Sequence, residues 1–134
     1  EVMRYITIKY SSDTKKIFTK EPLDNSKKII CVEGAIDSLF IDNSIAANDS
    51  NLLRADADIY VWDNEPRNEH TVRKMLDIIE QGCEIVIWPE SMKDKDINDM
   101  VLSGLTIEQI MSIIDRYTFK GMIAKMKFIS WKKV

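Results

Sequence analysis

The sequence predicts an α/β domain built on a doubly wound sheet of mainly parallel strands, with a β-hairpin added at its N-terminus. Three observations predict it. Short apolar runs at 28–32, 59–62 and 84–88 alternate with segments of helical period. Turn formers, Gly34, Pro66, Gly82 and Pro89, stand at the joints. Acidic side chains collect just after the runs, at Glu33, Asp37, Asp63 and Glu65. Alternating strands and helices of this kind form β-α-β units whose crossovers are right-handed.

Taken in order, residues 4–10 alternate polar and apolar side chains, and Ser11-Ser12-Asp13 supplies a turn from which residues 16–19 return as a hairpin partner. Pro22 and the polar Asp24-Asn25-Ser26 form a linker after this hairpin, the two together covering residues 1–26 and flanking the rest. Residues 28–32 are a buried strand, Gly34 a tight turn and 35–41 a short helix. Residues 44–47 form a second strand, followed by a polar loop or short helix through Arg54. After the strand at 59–62, Val72, Met75, Leu76 and Ile79 share one helical face, and Gly82 suits the helix stop. Beyond the strand at 84–88, Asp96 caps a helix ending near Gly104. Thr106 with Gln109 has the capping-box pattern for a helix through about Asp115.

Composition narrows the class. The 134 residues are 45% hydrophobic and 31% charged, enough for one domain with a sizeable core, and no apolar stretch reaches the ~18 residues of a membrane span. With Glu1 in place of Met and neither a basic nor an apolar leader, the sequence reads as part of a longer chain rather than a secreted precursor. Cys31 and Cys83 match no metal-ligand spacing and are expected as reduced buried thiols, which fits a cytoplasmic location. His70, the one histidine, lacks a partner histidine. The net charge of −3 is unevenly spread: the last fifteen residues carry Lys120, Lys125, Lys127, Lys132 and Lys133 and no acid. Interleaved with Met122, Ile123, Met126, Phe128 and Trp131, they describe a basic amphipathic closing segment, residues 117–134.

The carboxylates carry the chemistry. In an open α/β sheet, ligands bind beyond the carboxyl ends of the strands, so acids after different strands converge. Asp63 and Glu65 flank one residue, which in an extended chain points both the same way. Hard oxygen donors from several loops suit Mg²⁺ or Mn²⁺, with Glu33 completing the site or acting as general base or acid, and Asp96 and Asp99 entering from a third segment. Such a cluster serves phosphoryl or nucleotidyl transfer. No Gly-rich loop of the G-x-x-x-x-G-K-[ST] type is present, which argues against a P-loop NTPase.

Val32-Glu33-Gly34-Ala35-Ile36-Asp37, Val61-Trp62-Asp63-Asn64-Glu65 and Lys95-Asp96-Ile97-Asn98-Asp99 together resemble the motifs of the Toprim domain family, over roughly residues 27–116. The first looks like the form found in DNA primases. The resemblance implies Glu33 as catalytic acid/base or metal-bridging group, Asp63 and Glu65 as metal ligands, and Asp37, Asp96 and Asp99 as secondary ligands or orienting groups. It implies Lys93, Lys95 and Arg67 as contacts to nucleotide or nucleic-acid phosphate. The implied activity is Mg²⁺- or Mn²⁺-dependent primer synthesis from ribonucleoside triphosphates on single-stranded DNA in a phage-like primase, with a replicative helicase as a further partner. Two positions depart from the family pattern. Glu65 replaces the usual Asp, and Asn68 stands where a glycine often follows, as a residue tolerant of left-handed backbone. Two other classes stay open: a Toprim nuclease or topoisomerase module, for which neither Tyr60 nor Tyr117 is marked as a nucleophile, and a non-catalytic nucleic-acid-binding domain whose acids are caps.

Overall fold

A computed structural model of the chain describes residues 19–47 and 57–134. The expected N-terminal hairpin, up to its last residue, and the segment after the second strand lie outside the described residues. Among the described residues, five strands form one sheet: β1 (Ile30–Val32), β2 (Ser44–Ala46), β3 (Ile59–Val61), β4 (Glu84–Val86) and β5 (Thr118–Phe119). Their order is β2-β1-β3-β4-β5, with the first four strands parallel and β5 antiparallel to β4. Among these strands lie α1 (Ala35–Phe40), α2 (Glu69–Glu80), α3 (Ile97–Leu102) and α4 (Ile107–Arg116), and α5 (Gly121–Trp131) follows β5.

The strands are largely apolar because both faces of the sheet are covered, and successive side chains supply two different cores. Cys31, Tyr60 and Ile85 point into one core, where Met75, Ile78 and Ile79 of α2 meet Phe128 and Trp131 of α5. Ile30, Val32, Ile59, Val61 and Val86 point into the other, where Ile97 and Met100 of α3 meet Ile110 and Ile114 of α4. Cys31 and Cys83 are free thiols, and burial pushes the Cys31 thiol up to about 12.

Local signals set the helix ends. Asp96 accepts the Asp99 N–H, and the Thr106 hydroxyl and Gln109 side chain close both bonds of a capping box. Gly82 takes φ +82° after α2, a conformation costly for any residue with a Cβ. Gly34 does not have a left-handed backbone: it is extended at φ −108° and is the N-cap of α1.

Two elements depart from the sequence pattern. β5 is only two residues long, too short to show a period, yet it pairs with β4 through Ile85 and Val86. α5 buries Ala124, Phe128 and Trp131, but Met122, Ile123 and Met126, expected on the apolar side, are 73%, 59% and 64% exposed. The lysines therefore share the outer surface of α5 with apolar side chains. Among the described residues no helix is long and apolar enough to cross a membrane.

Candidate metal centre

From β1 the chain runs to β2 on one side, while β3 pairs along its other side, so the sheet order reverses between β1 and β3. Glu33 and Asp63 lie just beyond the ends of these neighbouring strands, in the crevice such a reversal opens. Asp37 sits one helical turn on, in α1, and Asp96 arrives as the N-cap of α3. Carboxylate oxygens of Asp37, Asp63 and Asp96 all lie within 4.8 Å of one another. With Glu33, Gly34 and Asn98 they line a cleft of about 570 Å³.

Hydrogen bonds fix the acids. Asn98 N–H donates to Asp37 Oδ1 at 2.9 Å, joining α1 to the start of α3. Asp99 N–H donates to Asp96 Oδ1 at 2.8 Å. Glu33 shares a hydrogen bond with Asp63, while its Oε1 is buried with no partner among the described residues. Burial raises the Asp37 carboxyl to about 6, against the Asn98 hydrogen bond, with the charges of Asp96, Glu33 and Asp99 adding to the rise. Asp63 is pushed further the same way, first by burial and then by Glu33. The cluster is thus short of positive charge.

Glu65 does not join these three. Its N–H donates to the Asp63 carbonyl at 2.9 Å, so 63–65 is a tight three-residue turn rather than extended chain. Glu65 is instead the largest influence holding the exposed Lys95 ammonium above its usual range, followed by Asp63 and Asp96. Asn68 is likewise not left-handed. At φ −89° it caps α2, its side chain accepting the Thr71 N–H. Arg67, Lys93 and Lys95 are exposed. His70 is exposed in the first turn of α2, Tyr60 is buried in β3, and Tyr117 is half-buried at the end of α4.

The residue that sequence reasoning passed over is Asn64. Its N–H donates to the Lys95 carbonyl at 2.6 Å, and its Nδ2 donates to the carbonyls of Met92 and Asp94 at 2.9 and 3.1 Å. Trp131 Nε1–H of α5 donates to its Oδ1 at 2.9 Å. Asn64 therefore clamps the loop that delivers Asp96 against the turn that carries Asp63. Nothing in the local sequence marks an asparagine between two acids for this work.

No protein-family model matches the chain. The chain is similar to the DNA primase of Enterobacteria phage T4, with 36% identity over 138 aligned positions that cover 98% of this chain and 40% of that protein. It spans about 40% of the length of that curated relative. The similarity supports a primase-related chain.

Proposed function

We propose that this chain is the Toprim catalytic domain of a phage-like DNA primase, joining ribonucleotides into primers on single-stranded DNA in a divalent-cation-dependent reaction. The observation that carries the reading is the convergence of Asp37, Asp63 and Asp96 beside Glu33 at the β1/β3 reversal. The similarity to a phage primase gives that convergence its direction.

The donor set fits Mg²⁺ or Mn²⁺. It is all carboxylate oxygen, and its mutual repulsion favours a cation. Asp37, Asp63 and Asp96 would hold the ion. When bound, it would supply charge stabilisation at the attacking and leaving oxygens of the transfer. Glu33, whose Oε1 is left without a partner, would accept the proton of an attacking hydroxyl. Glu65 would act through Lys95, holding that ammonium at the edge of the acidic crevice, where Lys95 would meet nucleotide phosphate. The DNA template, the nucleoside triphosphates and a helicase partner belong to this reading of the whole protein.

Calorimetric titration of Mn²⁺ at pH 7 tests it, comparing the wild type with an Asp63→Ala, Asp96→Ala double variant. Saturable binding in the wild type, lost in the variant, is expected. Primer synthesis on a single-stranded template should then follow the same pattern. Absence of binding in the wild type, or binding the double variant retains, would overturn the assignment.

A further inference from the structure

A second cleft, of about 630 Å³, lies on the other side of the 63–65 turn, between α5 and the loop after β4. Asp63 lines the acidic crevice, whereas Asn64 lines this one, so a single turn of backbone is the wall between them. Four cations border it: Arg67 ahead of α2, Lys93 in the loop after β4, Lys127 in α5 and Lys133 just beyond. Among the described residues, Glu90 is the one acid that lines it. None of the four cations forms an ion pair among the described residues. In a chain of net charge −3, unpaired positive charge from separate segments has gathered around one concave surface. Such an arrangement repels itself unless an anion lies between.

The walls are aromatic. Tyr117 and Phe119 are half-buried beside the opening, and Lys127 Nζ stands 5.3 Å from the centre of the Phe119 ring. A free triphosphate is commonly gripped by backbone N–H groups of a Gly-rich loop at a helix start, and this cleft contains no glycine. Side-chain cations along a trough with aromatic flanks suit the repeating phosphates and flat bases of a single strand.

We infer that this cleft between α5 and the loop after β4 binds a single-stranded nucleic acid, with Arg67, Lys93, Lys127 and Lys133 on its phosphates and Tyr117 and Phe119 beside its bases. The inference rests on the proposed function for the strand's identity as template or nascent primer, but binding itself requires no metal. It extends the phosphate-contacting role of Arg67 and Lys93 to the basic C-terminal helix.

The test is fluorescence anisotropy of a labelled single-stranded DNA of about twelve nucleotides. The whole 134-residue chain is used, in EDTA, with monovalent salt varied around 0.1 M. Loss of one phosphate contact on a single strand reduces the salt slope by about 0.7 and the affinity at 0.1 M by about fivefold. Lys93→Ala and Lys127→Ala should each show that loss, and the pair about 25-fold. Lys125→Ala removes the same charge from α5 outside the cleft and should change affinity less than twofold. Equal losses from Lys125→Ala and Lys127→Ala would overturn the inference, as would wild-type affinity in the double variant. So would tripolyphosphate or ATP binding that the double variant loses while its DNA binding is unchanged. Because divalent ions are absent, strand binding and Mn²⁺ binding succeed or fail separately.

Discussion

Asn64 holds a middle position in every sense: it lies between two acids in sequence, between two clefts in space, and between α5 and the Asp96 loop in its hydrogen bonds. Replacing it with alanine strands the carbonyls of Met92 and Asp94 and the Trp131 N–H. The expected cost is about 1–3 kcal/mol of stability, measurable by urea unfolding. Because the same bonds position Asp96, Asn64→Ala should also weaken Mn²⁺ about tenfold while leaving the binding stoichiometry intact, as titration would show. At this scale the convergence of Asp37, Asp63 and Asp96 was legible because each lies on the segment that leaves the carboxyl end of a strand, and the fold brings such ends together. The place of Glu65 outside this trio was not, since one backbone hydrogen bond curls 63–65 into a turn where an extended chain was expected. Asn68 was misread for a related reason: its position just before a helix made it a cap, and capping needs extended rather than left-handed backbone.

Among the elements, those with a capping or periodic signal were predicted closely, α4 above all, where Thr106 and Gln109 announce the start. Thr106→Ala should lower the free energy of unfolding by about 1 kcal/mol, checked by urea denaturation, and leave Mn²⁺ affinity unchanged because α4 contributes no carboxylate to the crevice. β5 and α5 were not legible in the same way. A two-residue strand carries no period, and its pairing is fixed by β4 rather than by its own sequence. The buried side of α5 is narrow, Ala124, Phe128 and Trp131, and the methionines and isoleucines around it conceal which side that is. Its position follows from contacts with α2 and the sheet, which no local pattern encodes.

For the molecule as a whole, the acidic crevice makes stability depend on protons and, on the proposed function, on a divalent cation as well. Asp37, with its carboxyl raised to about 6, and Asp63, raised in the same direction, both ionise near 3.8 when unfolded. Above 3.8 the folded chain binds more protons than the unfolded chain, so these groups make stability fall as pH rises, Asp37 from about 4 through 6 and Asp63 beyond that. For Asp37 the loss is on the order of 1–2 kcal/mol, after allowing for solvent at the crevice mouth. The thermal midpoint in EDTA should therefore be higher at pH 5 than at pH 7. Adding Mn²⁺ at pH 7 to a hundredfold excess over its dissociation constant should restore about 2.7 kcal/mol, seen by repeating the melt. A midpoint indifferent to both would show that the carboxylates are farther apart in solution. The sheet order that builds this crevice was only partly legible: alternation of strands and helices implied parallel pairing, but the placement of β2 and β3 on opposite sides of β1 is a tertiary choice.

All three indole rings are enclosed: Trp62, Trp88 and Trp131 are 1%, 3% and 8% exposed. Trp88 donates its Nε1–H to the Trp62 carbonyl, tying the ends of neighbouring strands, while Trp131 donates to Asn64 across the wall of the cationic cleft. The chain consequently carries its own optical gauge. Fluorescence from the first two reports the sheet, whereas that of Trp131 shifts to the red when α5 loosens from the turn, so the seating of α5 on the 63–65 turn can be followed by emission colour without attaching a dye.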